Sequence, residues 1–119
     1  MKKELDMVAE FHRKQKSPVL DFPALIPKDR SDLRYMLMHE EVQEYKEGVE
    51  DKDLENIAKE LADILFATYG TVLEHGLQDK MEEIFAEVHR SNMSKDVSTA
   101  GAKAIKGEGY KAANIKQFL

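Results

Sequence analysis

Leu5, Val8 and Phe11, with Met7 beside them, recur at helical spacing, and the pattern stops before Ser17-Pro18. This predicts a first helix over roughly 3–16. Pro18, Pro23 and Pro27 follow; they remove backbone donors and disfavour helix in the residues before them, so an ordered extended connection is expected there. A second helix is expected to start near Asp29 or Ser31, either of which could cap its free amides, and to end near Gly48. Asp51 or Asp53 can cap a third helix that runs through Leu61, Ile64, Leu65, Phe66 and Val72 to a stop at Gly76. His75 suits that C-terminus through the helix dipole. Asp79 followed by Glu82 resembles a capping box, and Met81, Ile84, Phe85 and Val88 give a fourth helix one apolar stripe that fades around Ser91-Asn92.

No stretch alternates apolar and polar residues as a half-buried strand would, and no internal repeat is present. Beyond Ser94, Gly101, Gly107 and Gly109 sit among lysines with little apolar periodicity, so the tail is expected to be loop-rich or ordered only by a partner or ligand. The predicted architecture is one all-α domain over 1–119: a four-helix bundle with a basic, loop-rich C-terminal tail.

Composition narrows the chemistry. At 119 residues one core is the default, and 42% apolar content with few glycines and prolines excludes a disordered chain. Zero cysteines remove disulfides, thiolate zinc sites and cysteine nucleophiles. The charged start leads into no apolar targeting segment, and no run approaches a membrane span, so a soluble cytoplasmic protein is expected. The net charge of -5 argues against nucleic acid as a partner. Its distribution is uneven: residues 32–63 hold eleven acids against four bases, whereas residues 95–119 hold five lysines against two acids.

The acidic centre carries an anomaly. With Leu37 at zero on a helical wheel, Leu33 points to about -40°, Glu40 to about -60°, Glu41 to about +40° and Glu44 to about -20°. The carboxylates therefore continue the apolar stripe instead of opposing it. In the third helix, Leu61-Ala62-Asp63-Ile64-Leu65-Phe66-Ala67 is apolar almost all round, which suggests burial on several sides, with Asp63 inside it and Glu60 one turn earlier. Lys59 is the ordinary partner for Asp63, although the two diverge by about 40° around the axis. The alternative pairs Glu41-x-x-Glu44 with Glu60-x-x-Asp63 across two antiparallel helices, so that four carboxylates converge on divalent cations. A di-iron bundle would want glutamate three residues before histidine on two helices, and here Ala9, Met36, Val72 and Ala86 stand at that spacing. Carboxylates alone suit Mg2+ or Mn2+.

Glu40-Glu41-x-x-Glu44, fifteen intervening residues and Glu60-x-x-Asp63 resemble the MazG-like all-α nucleoside triphosphate pyrophosphohydrolases. That superfamily includes dimeric dUTPases and phosphoribosyl-ATP pyrophosphohydrolase. Val8-Ala9-Glu10-Phe11-His12, Glu60-Leu61-Ala62-Asp63-Ile64-Leu65 with Gly70-Thr71, and Val88-His89-Arg90-Ser91-Asn92-Met93-Ser94-Lys95 look like its single-domain, phosphoribosyl-ATP pyrophosphohydrolase-like branch. The resemblance implies that Glu41, Glu44, Glu60 and Asp63 are magnesium ligands and that Glu40 is an added ligand or the base that activates water. It implies that Asn92, Lys95, Lys103, Lys106 and Tyr110 belong to a segment that closes over nucleotide phosphates. Ala102 between Gly101 and Lys103, and the lack of a proline soon after Tyr110, depart from the usual tail pattern. The implied activity is hydrolysis of a nucleoside triphosphate to monophosphate and pyrophosphate by a homodimer or higher homo-oligomer. House-cleaning of the nucleotide pool is the implied role, and dUTP is the first candidate substrate. The competing expectations are phosphoribosyl-ATP hydrolysis and a non-catalytic helical interaction module.

Overall fold

The computed structural model describes residues 1–119 and contains four α-helices: α1 Lys2–Gln15, α2 Lys28–Glu50, α3 Leu54–Glu74 and α4 Met81–Met93. A short 3-10 helix, Ile115–Phe118, lies near the C-terminus, and the fold is all-α, as expected. The chain forms two compact units, Met1–Gln78 and Asp79–Leu119. No helix is long and apolar enough to cross a membrane.

In the first unit α3 packs against both α1 and α2. Gly48 faces Asn56 and Ile57, Arg34 reaches the Ala67 carbonyl at 2.9 Å, and Arg30 donates to Glu74. Ascending positions on α2 thus meet descending positions on α3, and the pair is antiparallel. Gly70 lets the helices approach, because a Cβ there would collide with Arg34 Nη2 and His12 Nε2.

Helix boundaries follow local chemistry. Asp53 caps α3 by accepting from the Asn56 N–H at 3.1 Å, which selects it over Asp51. α2 instead starts at Lys28, directly after Pro27, and neither Asp29 nor Ser31 caps it; the Ser31 hydroxyl donates to the Lys28 carbonyl at 3.0 Å. The expected Asp79–Glu82 capping box does not form. Lys80 occupies the cap position, so Asp79 lies one residue outside the helix and Glu82 one residue too early for the reciprocal bond.

α3 ends at Glu74, and Gly76 follows with φ 66°, packed so closely on the Phe22 carbonyl that a Cβ would overlap it. The proline-containing connection is held there. The Leu20 N–H donates to the Leu73 carbonyl, the Ala24 N–H to His75, and His75 Nδ1 returns a bond to the Ala24 carbonyl at 2.8 Å. His75 is thus a clamp on the connection as well as the residue at the helix end.

The buried apolar side chains are few: Leu5, Val8, Val72 and Leu73. Leu61, Leu65 and Phe66 of α3 remain 48%, 54% and 40% exposed, so the burial on several sides expected of this helix is not met within one chain.

In the second unit the tail is tied to α4. Arg90 and Glu87 form a two-bonded ion pair at 2.7 and 2.8 Å, the Asn114 N–H donates to Glu87 at 2.8 Å, and Arg90 also donates to the Ala112 carbonyl. The Lys111 N–H donates to the Ser94 hydroxyl at 2.8 Å, and Asp96 and Ile105 exchange backbone bonds that close the loop between them. The tail is loop-rich as expected, and its order comes from α4 of the same chain.

Candidate active site

The antiparallel register of α2 and α3 brings Glu41 beside Glu60 and Asp63, with one carboxylate oxygen from each within 4.8 Å of the others. Glu60 is buried, whereas Glu41 and Asp63 are half-buried. Oε2 of Glu41 and Oε2 of Glu60 are buried without a hydrogen-bond partner, a costly arrangement for carboxylates. Burial first, then Glu60, Glu44 and Asp63 around it, push the Glu41 pKa up to about 7.

Glu44, one turn further along α2, is exposed and lies outside this close trio. Its pKa is raised, chiefly by the Glu60 carboxylate. Glu40 is exposed on α2 beside Glu41. Lys59 closes the solvent side, its Nζ 2.7 Å from Asp63 Oδ2 and 3.1 Å from Glu60 Oε1. The ion pair one turn back, which the long lysine stem makes despite the angular offset, is therefore present together with a cluster across the helices, and that cluster holds three carboxylates where four were expected. An all-oxygen set of this kind is what a hard divalent cation takes, and Glu41, Glu60 and Asp63 are the residues that could hold one.

A cavity of about 170 Å³ opens beside Glu41 and Asp63, walled by Phe11, Phe66 and Leu37, with His12 and Arg34 also lining it. Phe11 and Phe66 meet edge to face with centroids 5.4 Å apart. His12 Nδ1 donates to the Pro18 carbonyl at 3.1 Å; because a carbonyl only accepts, that nitrogen carries the hydrogen. Arg34 is fixed by Thr71, the Ala67 carbonyl and Glu74. Glu74 is completely buried and also takes two bonds from Arg30.

Sequence reasoning missed His12 and Arg34 as parts of this region. The available signal was Glu74, an acid directly after Val72-Leu73 on the apolar helix, which needs a cationic partner as much as Asp63 does.

The tail candidates lie in the second unit. Asn92, near the end of α4, Lys103 and Lys106 are exposed, and Lys95 and Tyr110 are half-buried. The Lys106 ammonium stands 5.2 Å from the centroid of the Tyr110 ring, and the Tyr110 N–H donates to the Gly107 carbonyl. Gly101 adopts φ 78° with open space around it, so a turn precedes Ala102 and Lys103.

The sequence profile of the phosphoribosyl-ATP pyrophosphohydrolase family matches residues 8–92, which include α2, α3 and every carboxylate of the acidic constellation. The chain belongs to that family. It is a member of the MazG-like all-α pyrophosphohydrolases, and an enzyme: a hydrolase of acid anhydrides that acts as a nucleotide pyrophosphohydrolase. The non-catalytic interaction module is thereby set aside. A search of curated proteins returns no match for this chain.

Proposed function

We propose that this enzyme hydrolyses a nucleotide triphosphate between its α and β phosphates, releasing pyrophosphate, with Mg2+ or Mn2+ held by Glu41, Glu60 and Asp63. The convergence of these three side chains, two of them with an unpartnered buried oxygen, supports the reading. The donor set fits a hard cation: it is all oxygen, crowded with negative charge and free of thiolate and imidazole. When bound, such a cation neutralises phosphate oxygens and lowers the pKa of a coordinated water.

Roles are proposed for the other candidate residues as well. Glu44, exposed one turn beyond Glu41 on α2, completes the ligand set when substrate is present. Glu40, exposed beside Glu41, accepts the proton of the attacking water. Asn92, Lys95, Lys103, Lys106 and Tyr110 bind the polyphosphate, the lysines offsetting its charge.

Phosphoribosyl-ATP is the substrate that the family match favours. A pyrimidine nucleoside triphosphate, dUTP or dCTP, is the second candidate: the open cleft beside the carboxylates, about 170 Å³, is on the scale of the ~150 Å³ cavity that admits benzene in an engineered core. Both reactions are α–β cuts.

A homodimer is part of the same proposal. Exposed Leu61, Leu65 and Phe66 on α3, set against four buried apolar side chains, call for a second copy to cover the helix.

The test is incubation with Mg2+, and separately with Mn2+, of a panel that contains phosphoribosyl-ATP, dUTP, dCTP and the common nucleoside triphosphates, with pyrophosphate and orthophosphate resolved. Pyrophosphate in equal amount to the nucleotide product is expected. Orthophosphate alone, or no turnover with either metal, would overturn the proposal.

A further inference from the structure

Lys59 lies beside the two α3 carboxylates proposed above as ligands, and their sharing of it is unusual. Its ammonium bonds to Asp63 Oδ2 at 2.7 Å and to Glu60 Oε1 at 3.1 Å, whereas the remaining Glu60 oxygen, Oε2, is buried without a partner. Glu60 itself is 3% exposed. A buried carboxylate with one free oxygen and three acidic neighbours needs more positive charge than one peripheral ammonium provides. Lys59 supplies part of it from the solvent side, on a side chain that is 64% exposed and free to swing away.

We propose that Lys59 is the internal counter-cation of the metal-free cluster, and that it competes with the divalent cation for Glu60 and Asp63. The inference rests on the metal reading under Proposed function. A dication that approaches Asp63 Oδ2 and Glu60 meets oxygens already bonded to the ammonium, and its charge repels Nζ. Lys59 therefore keeps the carboxylates from repelling one another before metal arrives and leaves them when it does. Its cost is a weaker affinity for the metal.

The experiment is calorimetric titration of Mn2+ into the full-length protein and into Lys59→Met, which keeps the aliphatic stem and removes the charge. Lys14→Met serves as a control for the change in net charge. Lys59→Met is expected to bind Mn2+ more tightly by about three- to tenfold at low salt, an exposed-charge effect that shrinks as salt is raised. Lys14→Met is expected to match the wild type. Circular dichroism checks that the helices persist, as an exposed side chain predicts. Equal or weaker binding by Lys59→Met, with clear binding by the wild type, overturns the competition and leaves the metal reading standing. Absence of binding by both proteins overturns the two together.

Discussion

Arg34 and Glu74 meet across the α2–α3 interface with Nη1 3.5 Å from Oε1, and both side chains are buried. Arg30 completes the group from the preceding turn of α2. The same Arg34 lines the cavity next to Glu41 and Asp63, so the ion pair fixes one wall of the site as well as the register of the two helices.

Glu74→Gln removes the only carboxylate that the two guanidinium groups share. Leaving buried charge uncompensated costs about 3–5 kcal/mol, so the midpoint of urea unfolding should fall well below that of the wild type. An unchanged midpoint would show that the pair contributes nothing to stability.

Glu41→Gln and Asp63→Asn keep side-chain volume and remove negative charge from the cluster. Each is expected to abolish pyrophosphate release while circular dichroism and the unfolding midpoint stay near or above wild-type values, because crowded like charges are relieved. Near-normal turnover by either variant would remove that residue from the site.

The tail is anchored through a titrating group. Arg90 first, and then the Asn114 N–H, hold Glu87 down at about 2, below its ordinary carboxylate value. A carboxylate whose folded pKa is depressed stabilises the folded state above its unfolded pKa and loses that contribution as pH falls through the folded one. The anchorage should therefore be complete above about pH 4.5 and weaken between there and about pH 2. The Asn114 amide resonance reports it directly; a midpoint near 4.5 would mean that the anchor is absent in solution.

The exposed stripe of α3 predicts self-association. Leu65→Lys places a charge among Leu61, Phe66 and its own neighbours, and sedimentation should shift from dimer towards monomer, with aggregation suppressed by the charge. A wild-type protein that sediments as a monomer at micromolar concentration would refute the dimer.

Much of this protein is set by local chemistry along the chain. Period 3.6 patterns, the Asp53 cap and the positive-φ glycine at 76 define the helices and where α3 starts and stops, since these depend on residues within a turn of one another. The acidic constellation was legible too, because Glu41, Glu60 and Asp63 lie on stripes that helical geometry alone marks as apolar. Tertiary structure decided what periodicity cannot. It chose which carboxylates meet, leaving Glu44 at the exposed edge, and it seated Lys59 on the cluster. It also paired Arg30 and Arg34 with Glu74, forty residues and more away in sequence. Such contacts depend on the offset between two helices, which the short turn and the close approach at Gly48 and Gly70 set, and which no single helix encodes.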